Sequence, residues 1–342
     1  MTTRLPTQLV DDQGKVAFGR FASSLARING RAARYLTPLG QPASALARRF
    51  HYKQFQYFGL ISERFLMGCA FADTTWLGLV FVYVYDVERD KLQEWTWRSP
   101  LGRALTLSDS PRQGDSHFER GRVRIQMRYE EQADGTLIKH LQLAMPELQV
   151  EASLPETGFS PMSLCTRTGI NGFTYANKVA GVAATGTLSY QGKRHSLTEL
   201  GAYGHHDFSA GYMRRETFWN WACTSANIDG HALGLNISCG VNETSFSENC
   251  LWLDGRLIPL GGVHFDYQRE DLMRPWHISD AAGQLELEFI PSGCHREALD
   301  VTLFASNFHQ LFGRFNGRLH TDAGALDISG LHGFVEEQYA KW

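Results

Sequence analysis

From Tyr52 onward the chain alternates apolar and polar residues with a period of two, and this pattern most restricts what it can fold into. In residues 122–129 (RVRIQMRY), Val123, Ile125, Met127 and Tyr129 fall on one face, as a strand with one buried side requires. The pattern recurs in 285–289 (LELEF) and 299–303 (LDVTL). Asp134-Gly135, Asp229-Gly230 and Asp254-Gly255 mark hairpin turns, because this pair tolerates the positive φ of tight turns. No amphipathic helix longer than two turns is legible beyond the N-terminal arm. In the C-terminal half, strands are expected to start near Thr217, His231, Ser247, Arg256, Trp276, Gln284, Leu299, Gln310 and Ala325. Eight or nine short strands in succession are enough to close one barrel, which removes exposed sheet edges.

The 342 residues exceed the size at which one core usually stops growing, so two domains are expected. The reading is all-β, with an irregular or helical arm over 1–51, one antiparallel barrel over 52–211 and a second over 212–342. The 21 Phe, 12 Tyr and 8 Trp suit pleated surfaces and also the wall of an apolar cavity. Six cysteines are scattered with no Cys-x-x-Cys pair, which speaks against a zinc ribbon or redox motif. The N-terminus shows no apolar signal core. The longest apolar run, 76–85, is about half of a bilayer span. A cytoplasmic protein with free thiols is expected.

The arm carries Arg20, Arg27, Arg31, Arg34, Arg48, Arg49 and Lys53 without an intervening acid. Packing along a barrel is the simpler reading. Binding of a polyanion such as nucleic acid, or of an anionic membrane, through residues 20–53 is the alternative, but no aromatic side chains interleave with the early arginines for base stacking. Nucleic acid is therefore not favoured as a partner.

Chemistry concentrates in 201–211 (GAYGHHDFSAG) and the following 217–222 (TFWNWA). On an extended strand Tyr203, His205 and Asp207 share one face. A carboxyl buried against Trp219 or Trp221, themselves two apart on one side, would hold its proton and could donate it. The structural alternative is a backbone-capping Asp207 and a His205–His206 pair that satisfies buried carbonyls. No third ligand stands at metal-site spacing, so no metal is expected at these histidines. Tyr203, His206, Trp219 and Trp221 are candidate ligand-binding residues, Arg215, Asn236, Glu248 and Asn249 complete that set, and Glu243 adds a further carboxylate. There is no Gly-x-Ser-x-Gly elbow, P-loop or dinucleotide fingerprint, and no cofactor is expected.

The sequence resembles the DUF2804 family, bacterial proteins of unknown function. The likeness is carried by 175–178 (YANK), by Asp207, Gly211 and 215–222 (RETFWNWA), and by 233–236 (LGLN). Further matches are Glu248-Asn249, Pro275-Trp276, 289–291 (FIP), Phe312-Gly313, and 333–336 (GFVE) with Trp342. A more remote likeness is to the lipocalin-like (calycin-type) double-barrel proteins that include carotenoid 1,2-hydratases. In these a Tyr/His-x-Asp segment precedes a glycine and the Asp is held to protonate an alkene. That resemblance implies Asp207 as proton donor, with His205 in the tyrosine-like position. The sequence departs from it at 208–210 (FSA), where those proteins carry an Asn-rich stretch, and the chain is shorter.

Three functions follow as expectations. The first is binding or carrying an apolar, lipid- or isoprenoid-like molecule in a barrel or between barrels. The second is a cofactor-independent hydratase, cyclase or isomerase acting on such a molecule, with Asp207 as acid and Trp219 or Trp221 steadying developing positive charge. The third is polyanion binding through the arm.

Overall fold

The computed structural model describes residues 6–241, 246–301, 304–321 and 324–342; Glu243, Thr302 and Leu303 lie outside them. Among the described residues the strands form three antiparallel sheets of eight, seven and ten strands. The central sheet runs, in spatial order, Gly19–Arg20, Met162–Thr168, Gly172–Ala183, Tyr203–Tyr212, Tyr52–Ile61, Phe65–Asp73, Leu77–Asp86 and Lys91–Pro100. The outer sheet runs from Lys193–Ser196 to Leu105–Thr106. The third sheet is built from residues 216–341.

The burial patterns explain the layering. The strands Val123–Glu131 and Leu137–Ala144 alternate buried and exposed, so the outer sheet has one wet face. Gly172–Ala183 is buried almost throughout, because the central sheet is covered on both sides. One side packs Phe58, Met67, Val82 and Val179 against Ile125, Leu141 and Val150 of the outer sheet. The other packs Tyr57, Ala70, Phe81 and Tyr83 against Trp221, Phe312 and Phe334 of the third sheet. The third sheet curls over a separate core around Leu235, Trp276, Phe289 and Val335.

Asp229-Gly230 and Asp254-Gly255 both have positive φ at each residue, as two-residue type I′ hairpins require. The expected strand starts at Leu299 and Gln310 are corrected: both residues lie inside one long hairpin, Leu285–Val301 and Phe304–Thr321. A bulge between Pro291 and Gly293 bends that hairpin, so its far half leaves its own core and lies against the central sheet's edge. His295 Nδ1 meets Glu94 Oε2 at 2.6 Å there, and Glu297 pairs with Arg98. The expected start at Ser247 is corrected to Cys250. The final strand, Leu331–Lys341, pairs with Glu216–Ile228 on one side and Phe304–Thr321 on the other; the alternation pattern missed it.

The arm lies along the central sheet, where Leu9, Val10, Leu25 and Ile28 pack on Tyr175, Phe208 and Tyr212. Part of its charge is engaged locally. Arg27 pairs with Asp109, and Lys53 is buried, donating to the carbonyls of Phe50 and Thr74. All six cysteines are free. No helix among the described residues is long and apolar enough to cross a membrane.

Candidate functional site

Between the central and third sheets lies a mainly apolar cavity of about 480 Å³. Cross-strand register builds its floor. One row across the central sheet reads Lys178, Asp207, Tyr57, Ala70, Phe81 and Thr96. The next reads Ala176, Ser209, Phe55, Ala72, Leu79 and Arg98. Residues two apart on a strand share a face, so these rows present aromatic and small apolar side chains with Lys178 and Asp207 at one end. The facing wall comes from a row of the third sheet, Ser238, Trp221, Glu336 and Gln310, with Trp219 and Gln338 beside it. The long hairpin adds Leu299, Val301, Ala305 and Phe308.

The polar end is organised by Lys178. Its Nζ lies 3.1 Å from Asp207 Oδ2 and 2.8 Å from Glu248 Oε1, and 5.7 Å from the centre of the Trp221 ring. Burial works against the ammonium, but the two carboxylates outweigh it and its pKa is raised. For Asp207 burial is the largest influence and raises the pKa. Lys178 opposes it, Glu248 adds to it, and the net direction is upward. Ser209 Oγ donates to Asp207 Oδ1 at 3.0 Å.

Another carboxyl faces the cavity from the opposite wall. Glu336 accepts from Trp219 Nε1 at 3.1 Å and from Gln310 Nε2. Tyr83 donates to Gln310 Oε1, which fixes the amide's orientation, and the Tyr83 and Tyr57 hydroxyls lie 2.8 Å apart. Burial pushes the Glu336 carboxyl up to about 7 despite these donors.

The strand Tyr203–Tyr212 sorts the remaining candidates. Tyr203, His205 and Asp207 face the seam, but only Asp207 lines the cavity. His205 sits one row away, among the rings of Tyr57, Trp221 and Phe334. Burial lowers its pKa to about 3, and neither ring nitrogen has a hydrogen-bond partner, so the imidazole is neutral. Gly59, opposite it in register, leaves the space the ring fills. His206 turns into the core between central and outer sheets, where Nε2 lies 3.0 Å from the Tyr129 hydroxyl; the expectation that it borders a ligand is corrected. Adjacent residues on opposite faces cannot hold one metal ion. Among the described residues no group of three or more His, Cys, Asp and Glu side chains forms a metal site.

Tyr203 binds Asn227 at the seam's outer end. Arg215 is exposed and donates to the Trp342 carbonyl. Asn236 accepts from Trp221 Nε1 at 2.8 Å and donates to the Glu248 carbonyl, so it positions two cavity residues from behind. Asn249 ties Ser238 N to the Gly261 carbonyl in the same supporting way. Trp219, Trp221 and Glu248 line the cavity. Lys178 and Glu336 are site residues that the sequence pattern does not single out as candidates.

The chain belongs to the DUF2804 family, a domain of unknown function, whose match spans residues 1–342. No curated protein matches its sequence. Its structure is similar to CghA crystallised with Sch210972, with a TM-score of 0.52 and 11% identity over 98% of this chain and 97% of that one. It is also similar to kievitone hydratase from Nectria haematococca, with a TM-score of 0.50 and 10% identity over 95% of this chain and 98% of that one. At such identities the likeness concerns the fold alone, and the fold is the lipocalin-like double-barrel type.

Proposed function

We propose that this DUF2804 protein binds an apolar small molecule in the cavity between its two sheet systems. The observation that carries the reading is the cavity itself. Its 480 Å³ falls within the roughly 300–1,000 Å³ typical of small-molecule sites, and like them it is an apolar enclosure with a few convergent polar groups. Phe55, Leu79, Phe81, Trp219, Trp221 and Phe308 supply apolar walls, and Lys178, Asp207 and Glu336 supply the polar ends. The test is titration with an apolar fluorophore such as 1-aminoanthracene, read by energy transfer from tryptophan. One molecule should bind per chain. Ala305→Trp, which fills the cavity from the hairpin, should weaken binding at least about tenfold. Absence of binding, or equal binding by the variant, rejects the reading.

A second reading, cofactor-independent proton transfer to the bound molecule, is favoured by one further observation. Asp207 lines the apolar cavity with its pKa raised by burial, while Lys178 stands 3.1 Å away. In this reading the Asp207 proton passes to an alkene carbon of the ligand, and the carboxylate left behind is stabilised by Lys178. Trp219 and Trp221 face the resulting cation. Water addition, or loss of a proton from the neighbouring carbon, closes the reaction and returns a proton to Asp207. The fold shared with a kievitone hydratase is compatible with such chemistry but supplies no activity of its own. Where an alkene ligand is turned over, Asp207→Asn should abolish turnover; full activity in that variant would eliminate the role.

A further inference from the structure

The cavity opens beside a contiguous patch of large exposed apolar side chains. Leu46, 69% exposed, stands four residues before Phe50 on the short helix Ala45–Phe50. Phe50 stacks on Trp76 with ring centres 3.7 Å apart, and Trp76 lies 5.4 Å from Phe304. Leu101, also exposed, hydrogen-bonds through its N–H to the Trp76 carbonyl. Trp76 and Val301, the latter 51% exposed, are at the same time cavity-lining residues. Isolated exposed apolar residues are ordinary, whereas a joined set at the mouth of an apolar cavity marks an interaction surface.

Charge identifies the occupant. Arg48 and Arg49 are exposed on the same short helix as Leu46, and Arg103 is exposed two residues after Leu101. No acidic residue occurs from 13 to 62. Of the acids nearby, Glu297 is paired with Arg98 and Asp73 accepts from the Thr75 N–H, which leaves Asp300 exposed at the hairpin. An apolar tip ringed by arginines suits an anionic bilayer, where headgroups meet the guanidinium groups and side chains such as Leu46 and Trp76 enter the interface.

We propose that the Leu46–Trp76–Leu101 face docks on anionic lipid bilayers, setting the cavity mouth against the membrane. The use of that contact, exchange of the cavity's apolar occupant with the bilayer, rests on the function proposed above; the docking does not. The experiment is flotation of the full chain with phosphatidylcholine vesicles and with equal mixtures of phosphatidylcholine and phosphatidylglycerol. The protein should float with the mixed vesicles at low salt, float much less with the neutral ones, and be released by about 0.5 M salt, at which charges are screened within a few ångströms. Leu46→Glu should reduce binding on its own. The Arg48→Glu/Arg49→Glu pair should reduce partitioning on the order of twentyfold or more. Arg122→Glu, an equivalent charge change on an exposed turn of the outer sheet, should leave it unchanged. No flotation, equal flotation on neutral vesicles, wild-type binding by the Leu46 and arginine variants, or equal loss with Arg122→Glu would each overturn the proposal. A protein that floats but takes up no 1-aminoanthracene keeps the docking face and loses the cavity function.

Discussion

Replacing Glu336 by Gln should change how stability depends on pH, and the size of the change can be worked out. Burial raises the Glu336 carboxyl from the ordinary 4.5 to about 7. Between those two values the folded chain keeps a proton that the unfolded chain has released. The stability that Glu336 contributes is therefore fully present below about pH 4.5, falls as pH rises to about 7, and changes no further above it. At about 1.4 kcal/mol per pH unit, the loss across this window is about 3 kcal/mol. The amide of the Glu336→Gln variant cannot titrate. It also cannot accept from both Trp219 Nε1 and Gln310 Nε2, because one of these donors would face its NH₂ group. The variant should therefore carry a pH-independent penalty of roughly 1–3 kcal/mol. Urea unfolding of both proteins at half-unit steps from pH 4 to 8 supplies the comparison. Subtracting one curve from the other removes most of what the shared groups contribute, including Asp207, whose raised pKa acts in the same direction and whose influence on Glu336 is small beside burial. The wild-type minus variant difference should fall by about 3 kcal/mol between pH 4.5 and 7. A difference that stays flat across this window would refute the placement of Glu336 as a buried, titrating wall of the cavity.

Two further outcomes test the frame of the site. Lys178→Met leaves Asp207 and Glu248 buried with no cation between them, which should cost about 3–5 kcal/mol at pH 8. That penalty should shrink as Asp207, whose pKa burial raises, protonates toward pH 4, and urea midpoints that show no pH-dependent recovery would contradict it. Gly59→Ala places a methyl group where the His205 ring lies. It should cost about 1–3 kcal/mol through overpacking and shift the His205 side-chain NMR signals; unchanged spectra and stability would show that the ring lies elsewhere.

The sequence made some of this legible because alternation is a geometric signal. Tyr203, His205 and Asp207 do share a face, and so do Trp219 and Trp221, since each set lies on an extended strand. His206 could be assigned to the opposite face by the same rule. Lys178 was hidden because its strand is buried on both sides, and a run without alternation does not reveal which layer a charge meets. Glu336 was hidden for a different reason. In 334–338 (FVEEQ) polar residues fall on both faces, which reads as a solvated tail. Only pairing with strands on either side, beginning near Thr217 and Ala305, turns the segment into a wall. The long hairpin reads as separate pieces in the sequence because the bulge at Pro291–Gly293 interrupts its period.

The double covering of the central sheet makes the strand Tyr203–Tyr212 a partition wall. His206 belongs to one room and His205 with Asp207 to the other, and a single-residue slip would exchange their contents. The two compartments therefore share one register. On the function proposed above, a substitution that tightens the packing around Tyr129 on the far side should shift Asp207 through this strand, so variants selected for altered binding should appear behind the wall as well as in front of it.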